Sequence, residues 1–352
     1  MLVEAYQLTS SRSSSAANHL NAARLALDCL GMELCDCQRL RAMYVLALGY
    51  AARDHDEDFD QALGWIDEAL DQTKRVPEHP SFIDLVDMRG NLNIRRREFV
   101  AASEDLGETA ARLRALPQSW AETHVDQLLA VLIYHAQIRY YLSDPAGVQR
   151  LLGEARELVP LAGDGAALRV ADIELTQALL ARQLGSAAEA APIAARAAAA
   201  FEGHQKPQSA VRAHVLLAGI YLDISQEVPP GSDQDHYFAL AATHLEHARK
   251  LAKACDDANG AALITLEHVR LDRLRRGWRD RVKPIQQVID GARFDNNTLL
   301  LVQALTTLGD EYRALGKLVA AKKAYLDALA TLGNHEITAL AAPIRKALET
   351  LD

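Results

Sequence analysis

Three groups of side chains in this 352-residue sequence are spaced for chemistry, and each points to a different ligand. Asp54-x-Asp56-x-Asp58 sets carboxylates at alternate positions, as calcium loops begin. Such a loop then needs Gly and, six residues on, a bidentate Glu; Phe59 and Trp65 stand there instead. The competing expectation is an acidic helix–helix turn in which Asp58 or Asp60 favours the next helix N-terminus. His244-Leu245-Glu246-His247 puts two imidazoles about one helical turn apart, close to His236. Leu245 should face the core and leave both rings at its rim, no third ligand is evident, and a solvated helix face without metal is expected. Arg270, Arg273, Arg275, Arg276, Arg279, Arg281 and Lys283 surround Trp278, a pattern able to hold phosphate or nucleic acid. Against it stands a turn whose arginines pair with acids such as Asp256, Asp257 or Asp290. Arg95-Arg96-Arg97 poses the same choice on a smaller scale.

Other chemistry is poorly served. Cys29, Cys35 and Cys37 form C-x5-C-x-C, with Cys255 far away, so the second pair of a zinc site is missing and reduced thiols acting as small core residues are expected. Neither G-x-S-x-G nor G-x4-G-K-[ST] occurs, and no nucleophile–base pair or paired-carboxylate site can be argued. A non-enzymatic protein without a cofactor is expected. A net charge of -9 opposes general binding to nucleic acid or an anionic membrane. No run of 18 uncharged apolar residues occurs, nor an apolar N-terminal leader, so a cytoplasmic protein with no membrane span is expected.

The elements that would position these residues are helical. Ala and Leu abound, aromatics are 5%, Pro numbers 11, and strand-like alternation is nearly absent. Leu305-x2-Leu308-Gly309-x2-Tyr312 places bulky and small residues on one face of a helix that Gly316 should end. Ala321, Tyr325 and Ala328 then mark one face of a second helix. Small residues at Gly309, Ala321 and Ala328 let the two backbones approach while Leu305, Tyr312 and Tyr325 fill the gaps. Equivalent hairpins follow from Tyr44–Ala52 with Ala62, Ile66 and Ala69, and from Gly90 with Ala102 and Leu106. Another has a long first helix from Trp120 to Leu142, broken at Ser143-Asp144-Pro145, where Asp144 suits an N-cap and Pro145 a first helical position. Ala166–Phe201 turns at Gly185. A fifth hairpin sets Gly219 and Tyr221 against Ala241, Leu245 and Ala248 across a polar insertion at 226–233. A sixth spans 260–289 and turns at Gly277-Trp278. The small residues Ala62, Ala102, Val148, Ala190, Ala241, Val282 and Ala321 recur at separations of 40, 46, 42, 51, 41 and 39. Leu8–Ser15 reads as flexible. Residues 187–201 form an Ala-rich helix that could pack internally or make the seam of a homodimer.

The 305–333 segment resembles a tetratricopeptide (TPR) repeat, meeting seven of eight signature positions, with Gly333 where the trailing Pro stands. The observed separations exceed the usual TPR period of about 34. Long, irregular units of this kind resemble the sensor arms of bacterial ATP-dependent transcription activators and the bodies of peptide-pheromone receptors. The resemblance implies an all-α right-handed α-solenoid of about seven helix-turn-helix units, one domain over 1–352. Residues 14–37 would cap it N-terminally, 38–333 would hold the repeats, and 335–351 would form the closing helix. The opening helix could equally be the trimmed edge of a larger protein.

In TPR arrays the first helix of each unit lines the concave face. That implies a ligand surface including Asp87, Asn91 and Arg95, then Tyr134, Gln137 and Tyr141, then Asp172 and Arg182, and finally Glu267 and His268. Asn91 matches the Asn of the carboxylate clamp in chaperone-tail-binding TPRs, but the clamp Lys is Asp87 here, which argues against an acidic C-terminal tail. Tyr134, Gln137 and Tyr141 share a face, either as groove or as packing. The leading functional expectation is a scaffold that binds a protein or peptide segment. The alternative is a small-molecule- or peptide-sensing arm of a transcription regulator. Third comes a nucleic-acid or phosphate binder using Arg273, Arg275, Arg276, Trp278 and Arg279.

Overall fold

The computed structural model describes residues 16–32, 34–51, 56–73, 81–276, 281–333 and 337–351. Among them are sixteen α-helices, two short 3-10 turns and no strand. We number the helices α1 (Ala16–Leu30), α2 (Asp36–Ala51), α3 (Asp56–Thr73), α4 (Ser81–Arg95), α5 (Phe99–Arg114), α6 (Gln118–Tyr141), α7 (Pro145–Leu158) and α8 (Ala166–Gln183). There follow α9 (Ala187–Gly203), α10 (Pro207–Glu227), α11 (Ser232–Ala254), α12 (Ala258–Arg276), α13 (Val282–Phe294), α14 (Thr298–Ala314), α15 (Leu318–Leu332) and α16 (Thr338–Glu349). The chain divides into two compact units, one running to Ile138 and one from Arg139. In the first unit α2–α3 and α4–α5 pair as hairpins, with α1 before them; in the second α8–α9, α10–α11, α12–α13 and α14–α15 pair likewise, with α16 after, the all-α TPR-like arrangement that the repeat spacing implies. Even-numbered helices are the first helices of the hairpins, odd-numbered ones the second.

In the first unit, Leu40, Met43 and Ala47 of α2 pack on Phe59, Ala62, Ile66 and Ala69 of α3 and on Leu85 and Leu92 of α4. Ala26 of α1 packs on Val45 and Leu46 of the first hairpin. A small residue sits where two helices cross most closely: a Cβ on Gly90 would lie 3.2 Å from Asp105 Cβ and 3.4 Å from the Leu106 side chain.

In the second unit the same logic recurs with larger partners. Tyr325 is fully buried, and its ring covers Gly309 so closely that a Cβ there would meet ring carbons at 2.5 and 2.6 Å. The Ala-rich α9 is packed inside. Ala187, Ala190, Ala191 and Ala194 meet Leu216, Leu217, Ile220 and Ile224 of α10, while Ala197, Ala198 and Phe201 meet Ala171, Ala210 and Ala213. Internal packing therefore accounts for the apolar face that was a candidate dimer seam.

Seven helix ends share one turn geometry. Arg97, Ser143, Gly185, Gln205, Asp256, Asn296 and Gly316 all have positive φ, one at each of seven helix ends. At each, the next residue's N–H reaches back to a carbonyl five residues earlier, as Glu98 to Asn93 at 2.9 Å and Lys317 to Tyr312 at 2.8 Å. This is the Schellman closure, which satisfies carbonyls that a helix end would leave bare. Asp144 caps α7 through Gly147 N–H at 2.9 Å with Pro145 behind it, as the sequence predicts. The polar insertion at 226–233 is smaller than predicted: α10 continues to Glu227 and α11 starts at Ser232, so only Val228–Gly231 stays non-helical. Leu8–Ser15, Asp54 and the Gly277-Trp278 turn lie outside the described residues.

Candidate functional site

The first helices α8, α10 and α12 of three successive hairpins bring together a ladder of paired charges. Arg182 of α8 donates from Nε to Asp223 Oδ2 of α10 at 2.6 Å. Arg270 of α12 donates from Nη2 to the other Asp223 oxygen, and from Nη1 to the Gly219 carbonyl at 3.4 Å. Glu267 of α12 lies 3.7 Å from Arg270 Nη1. One carboxylate thus bridges guanidiniums 41 positions before and 47 after it in the chain. Gly219 makes the room: a Cβ there would fall 2.7 Å from both terminal nitrogens of Arg182.

The electrostatics follow from this crowding. Burial alone would lower the Arg182 pKa, but Glu267 and Asp223 outweigh it and hold the guanidinium more firmly charged than usual. Burial would likewise raise Asp223, yet Arg182 and Arg270 pull its carboxyl below the ordinary range. Tyr140 stands close enough to Arg182 to interact electrostatically, its phenol pushed upward by burial and by Tyr141. Its ring packs edge-on against Tyr141 at 5.4 Å. Glu267 Oε2 is buried and accepts no hydrogen bond, which makes it an acceptor facing the ladder without a donor.

Several predicted surface residues fall on this face or beside it. Arg182 and Glu267 belong to the ladder. His268 is half-buried, its Nε2 lacks a hydrogen-bond partner, and burial together with Arg249 lowers its pKa. Asp172 is raised by burial despite Arg169 and Arg212, and it pairs loosely with Arg169 at 3.9 Å. Tyr141 is half-buried in the second unit.

The remainder belong to the first unit. Tyr134 is 46% exposed, and Gln137 is half-buried. Asn91 spends its amide on the Asp87 carbonyl at 2.8 Å, and Arg95 reaches the Ala51 carbonyl at 2.9 Å. Burial and the neighbouring Asp84 push Asp87 up to about 6.

The basic run is not one patch. Arg270 is committed to Asp223, and Arg273 lies 3.6 Å from Asp310 and 4.0 Å from Glu311. Arg281 is buried against Glu311 at 3.4 Å and donates to the Asp272 carbonyl at 2.9 Å. Paired arginines were expected, but the acids are these rather than Asp256, Asp257 or Asp290. Arg275 is exposed; the Arg276 side chain, Trp278 and Arg279 lie outside the described residues. Arg96 pairs with Asp60 at 2.6 Å. Cys29 is buried as expected, whereas Cys35 and Cys37 are exposed, a departure from their reading as core residues.

His244 and His247 differ most from expectation. Neither lines a merely solvated face, because His214 of α10 and Glu202 of α9 close over them. His214 Nε2 lies 2.6 Å from Glu202 Oε1 and its Nδ1 lies 3.0 Å from His244 Nδ1. His247 Nε2 comes within 3.1 Å of Glu202 Oε2, at an angle that makes no hydrogen bond. Asp223, His214 and Glu202 all escaped the sequence reading. Asp223 and His214 sit on α10, a helix buried on nearly every side, where no polar stripe distinguishes them.

No protein-family model matches the chain, and neither does any curated protein sequence. Solved structures do. The apo form of RapI matches over 89% of this chain and 99% of its own, at 10% identity and a TM-score of 0.65. A Rap protein complexed with competence and sporulation factor matches over 99% and 96%, at 13% identity and 0.56. A STAND-class signal transduction ATPase with a tetratricopeptide repeat sensor, from Pyrococcus horikoshii, matches over 97% of this chain and 50% of its own, at 12% identity and 0.51. At these identities the likeness is one of fold: helical hairpins repeated along the chain. No described helix is long and apolar enough to cross a membrane.

Proposed function

We propose that this chain is a non-catalytic repeat module that holds a peptide or protein segment against the first helices α8, α10 and α12. The observation that carries this reading is the Arg182–Asp223–Arg270–Glu267 ladder. Four ionic side chains from three repeats share one face, with side-chain exposures of 19 to 27%, and a Glu267 oxygen lacks a donor. Such a face offers a peptide backbone or side chain both donors and acceptors already held in place, which reduces the ordering entropy lost on binding. The likeness in fold to a Rap protein solved in complex with competence and sporulation factor supports a binding role for the module.

A second reading is a ligand- or peptide-sensing arm of a bacterial transcription regulator, favoured by the likeness to a STAND protein's TPR sensor. It uses the same face and differs in what the module controls. Direct nucleic-acid binding through 270–283 is the weakest reading, since Arg270, Arg273 and Arg281 already face carboxylates.

The test is affinity capture from lysate of the native host, with mass spectrometry of peptides, proteins and small molecules. Wild type is compared with Asp223→Ala and with Lys253→Ala, an exposed change on α11. A peptide or protein held by wild type and Lys253→Ala but lost by a folded Asp223→Ala supports the proposal. A partner retained equally by all three sinks this face as the site.

A further inference from the structure

We propose that Glu202, His214 and His247 form a binding site for a divalent first-row transition ion, with Zn2+ the best fit. Each residue offers one donor atom, and the three donors all lie within 4.8 Å of one another. Donors about 2.0–2.1 Å from a tetrahedral Zn2+ stand roughly 3.3 Å apart, so the cluster needs only a small rearrangement to close. Two imidazoles and one carboxylate are ligands of intermediate softness, suited to Zn2+ rather than to Ca2+ or Mg2+, which prefer all-oxygen shells.

The surroundings are those of a metal site. The second nitrogen of His214 faces His244 Nδ1 at 3.0 Å. With the His214 proton on Nδ1, donated to His244, the lone pair on His214 Nε2 is free for the ion, the arrangement in which an outer partner fixes a ligand's tautomer. The His244 ring is stacked between His214 at 5.2 Å and Tyr221 at 5.7 Å, which limits its movement. His214 is buried while the Glu202 side chain is 37% exposed, so the cluster has one closed side and one open to water. Without metal, the 2.6 Å contact between His214 Nε2 and Glu202 Oε1 holds a proton. The ion takes that proton's place on Nε2 while Nδ1 takes up a proton, so His214 stays neutral and only its tautomer changes. Because Glu202 ends α9, His214 lies in α10 and His247 in α11, the bound ion ties one repeat's second helix to both helices of the next.

The experiment is titration of the metal-stripped full chain with ZnCl2 by calorimetry and with CoCl2 by visible absorption. Expected are one ion per chain, a dissociation constant of about 10 µM or tighter and intensified d–d bands. Glu202→Gln and His247→Gln should each weaken binding by about 10- to 100-fold. Both alter partly exposed side chains, so the test does not depend on buried His214. His204→Gln and His236→Gln, which change exposed histidines nearby, should leave binding unchanged. Absence of one-to-one binding, equal affinity in Glu202→Gln and His247→Gln, or an equal loss in His204→Gln or His236→Gln would overturn the site.

Discussion

The terminal nitrogens of Arg182 occupy the space that a side chain on Gly219 would need, 2.7 Å from the site of its first carbon. Gly219→Ala therefore sets two effects against each other. An Ala in mid-helix gains about 1 kcal/mol in propensity, while displacing a long side chain from its carboxylate loses a comparable amount. Thermal stability should change by less than about 1 kcal/mol. Any ligand captured through the ladder should nonetheless be lost, because Arg182 can no longer reach Asp223. At Gly309 the obstacle is the fully buried Tyr325 ring, which has nowhere to swing. Gly309→Ala should lower stability by about 1–2 kcal/mol even after the propensity gain. Paired melting curves read both outcomes.

Asp87 predicts a pH dependence with a definite sign. Its pKa rises from 3.8 to about 6 on folding, through burial and then Asp84. The folded state is thus favoured while the group is protonated, and that contribution is lost as pH rises through about 6. Asp87→Asn removes the penalty. It should stabilise the protein by about 1–2 kcal/mol at pH 7.5, discounted for partial solvent access, with the advantage gone below about pH 4. A mutant that melts with wild type at pH 7.5 refutes this.

The left-handed turn positions give a third expectation. Gln205 and Asn296 adopt φ of 55° and 52°, where a side chain is disfavoured and glycine is not. Gln205→Gly should raise stability by about 0.5–1 kcal/mol and Asn296→Gly by less, since Asn tolerates this region. Gly316→Ala, at φ 71°, should lower it by about 1 kcal/mol. Chemical denaturation midpoints at constant m-value decide the matter.

Arg281 and Glu311 are almost wholly buried, at 6% and 2% side-chain exposure. Arg281→Met leaves the Glu311 carboxylate with the more distant Arg273 at 4.0 Å, and should lower stability by about 3 kcal/mol. Arg281→Met/Glu311→Leu should recover a substantial part of that loss, because the uncompensated charge is gone. A double mutant no better than the single would show that packing, and not the stranded charge, sets the effect.

Local chemistry was legible in the sequence where one residue sufficed to express it. Gly185 and Gly316 mark turns, Asp144-Pro145 marks a helix start, and Gly90 and Gly309 mark close crossings; all five stand in the structure as read, the two turns with positive φ. The same turn at Arg97, Ser143, Gln205, Asp256 and Asn296 was hidden, because these side chains tolerate the conformation without announcing it. The binding face was legible only in part. Periodicity selects half-exposed residues such as Arg182 and Glu267. Asp223, which joins Arg182 to Arg270, lies on a helix with no polar stripe, and its partners are set by the stacking of hairpins rather than by spacing within a helix. Glu202 was invisible for the same reason: only the folded chain brings it to His214, twelve positions on.

Seven of the connections are clamped by the same two-residue closure, which leaves no slack for extra chain. The α10–α11 link is built differently, with Val228 extended and Gly231 at a φ of 150°. An inserted reporter, or a break that splits the protein into two complementing fragments, belongs there between Pro229 and Ser232. The segment stands at one end of the helix that carries Asp223 and His214, so a fluorophore placed in it would report on both.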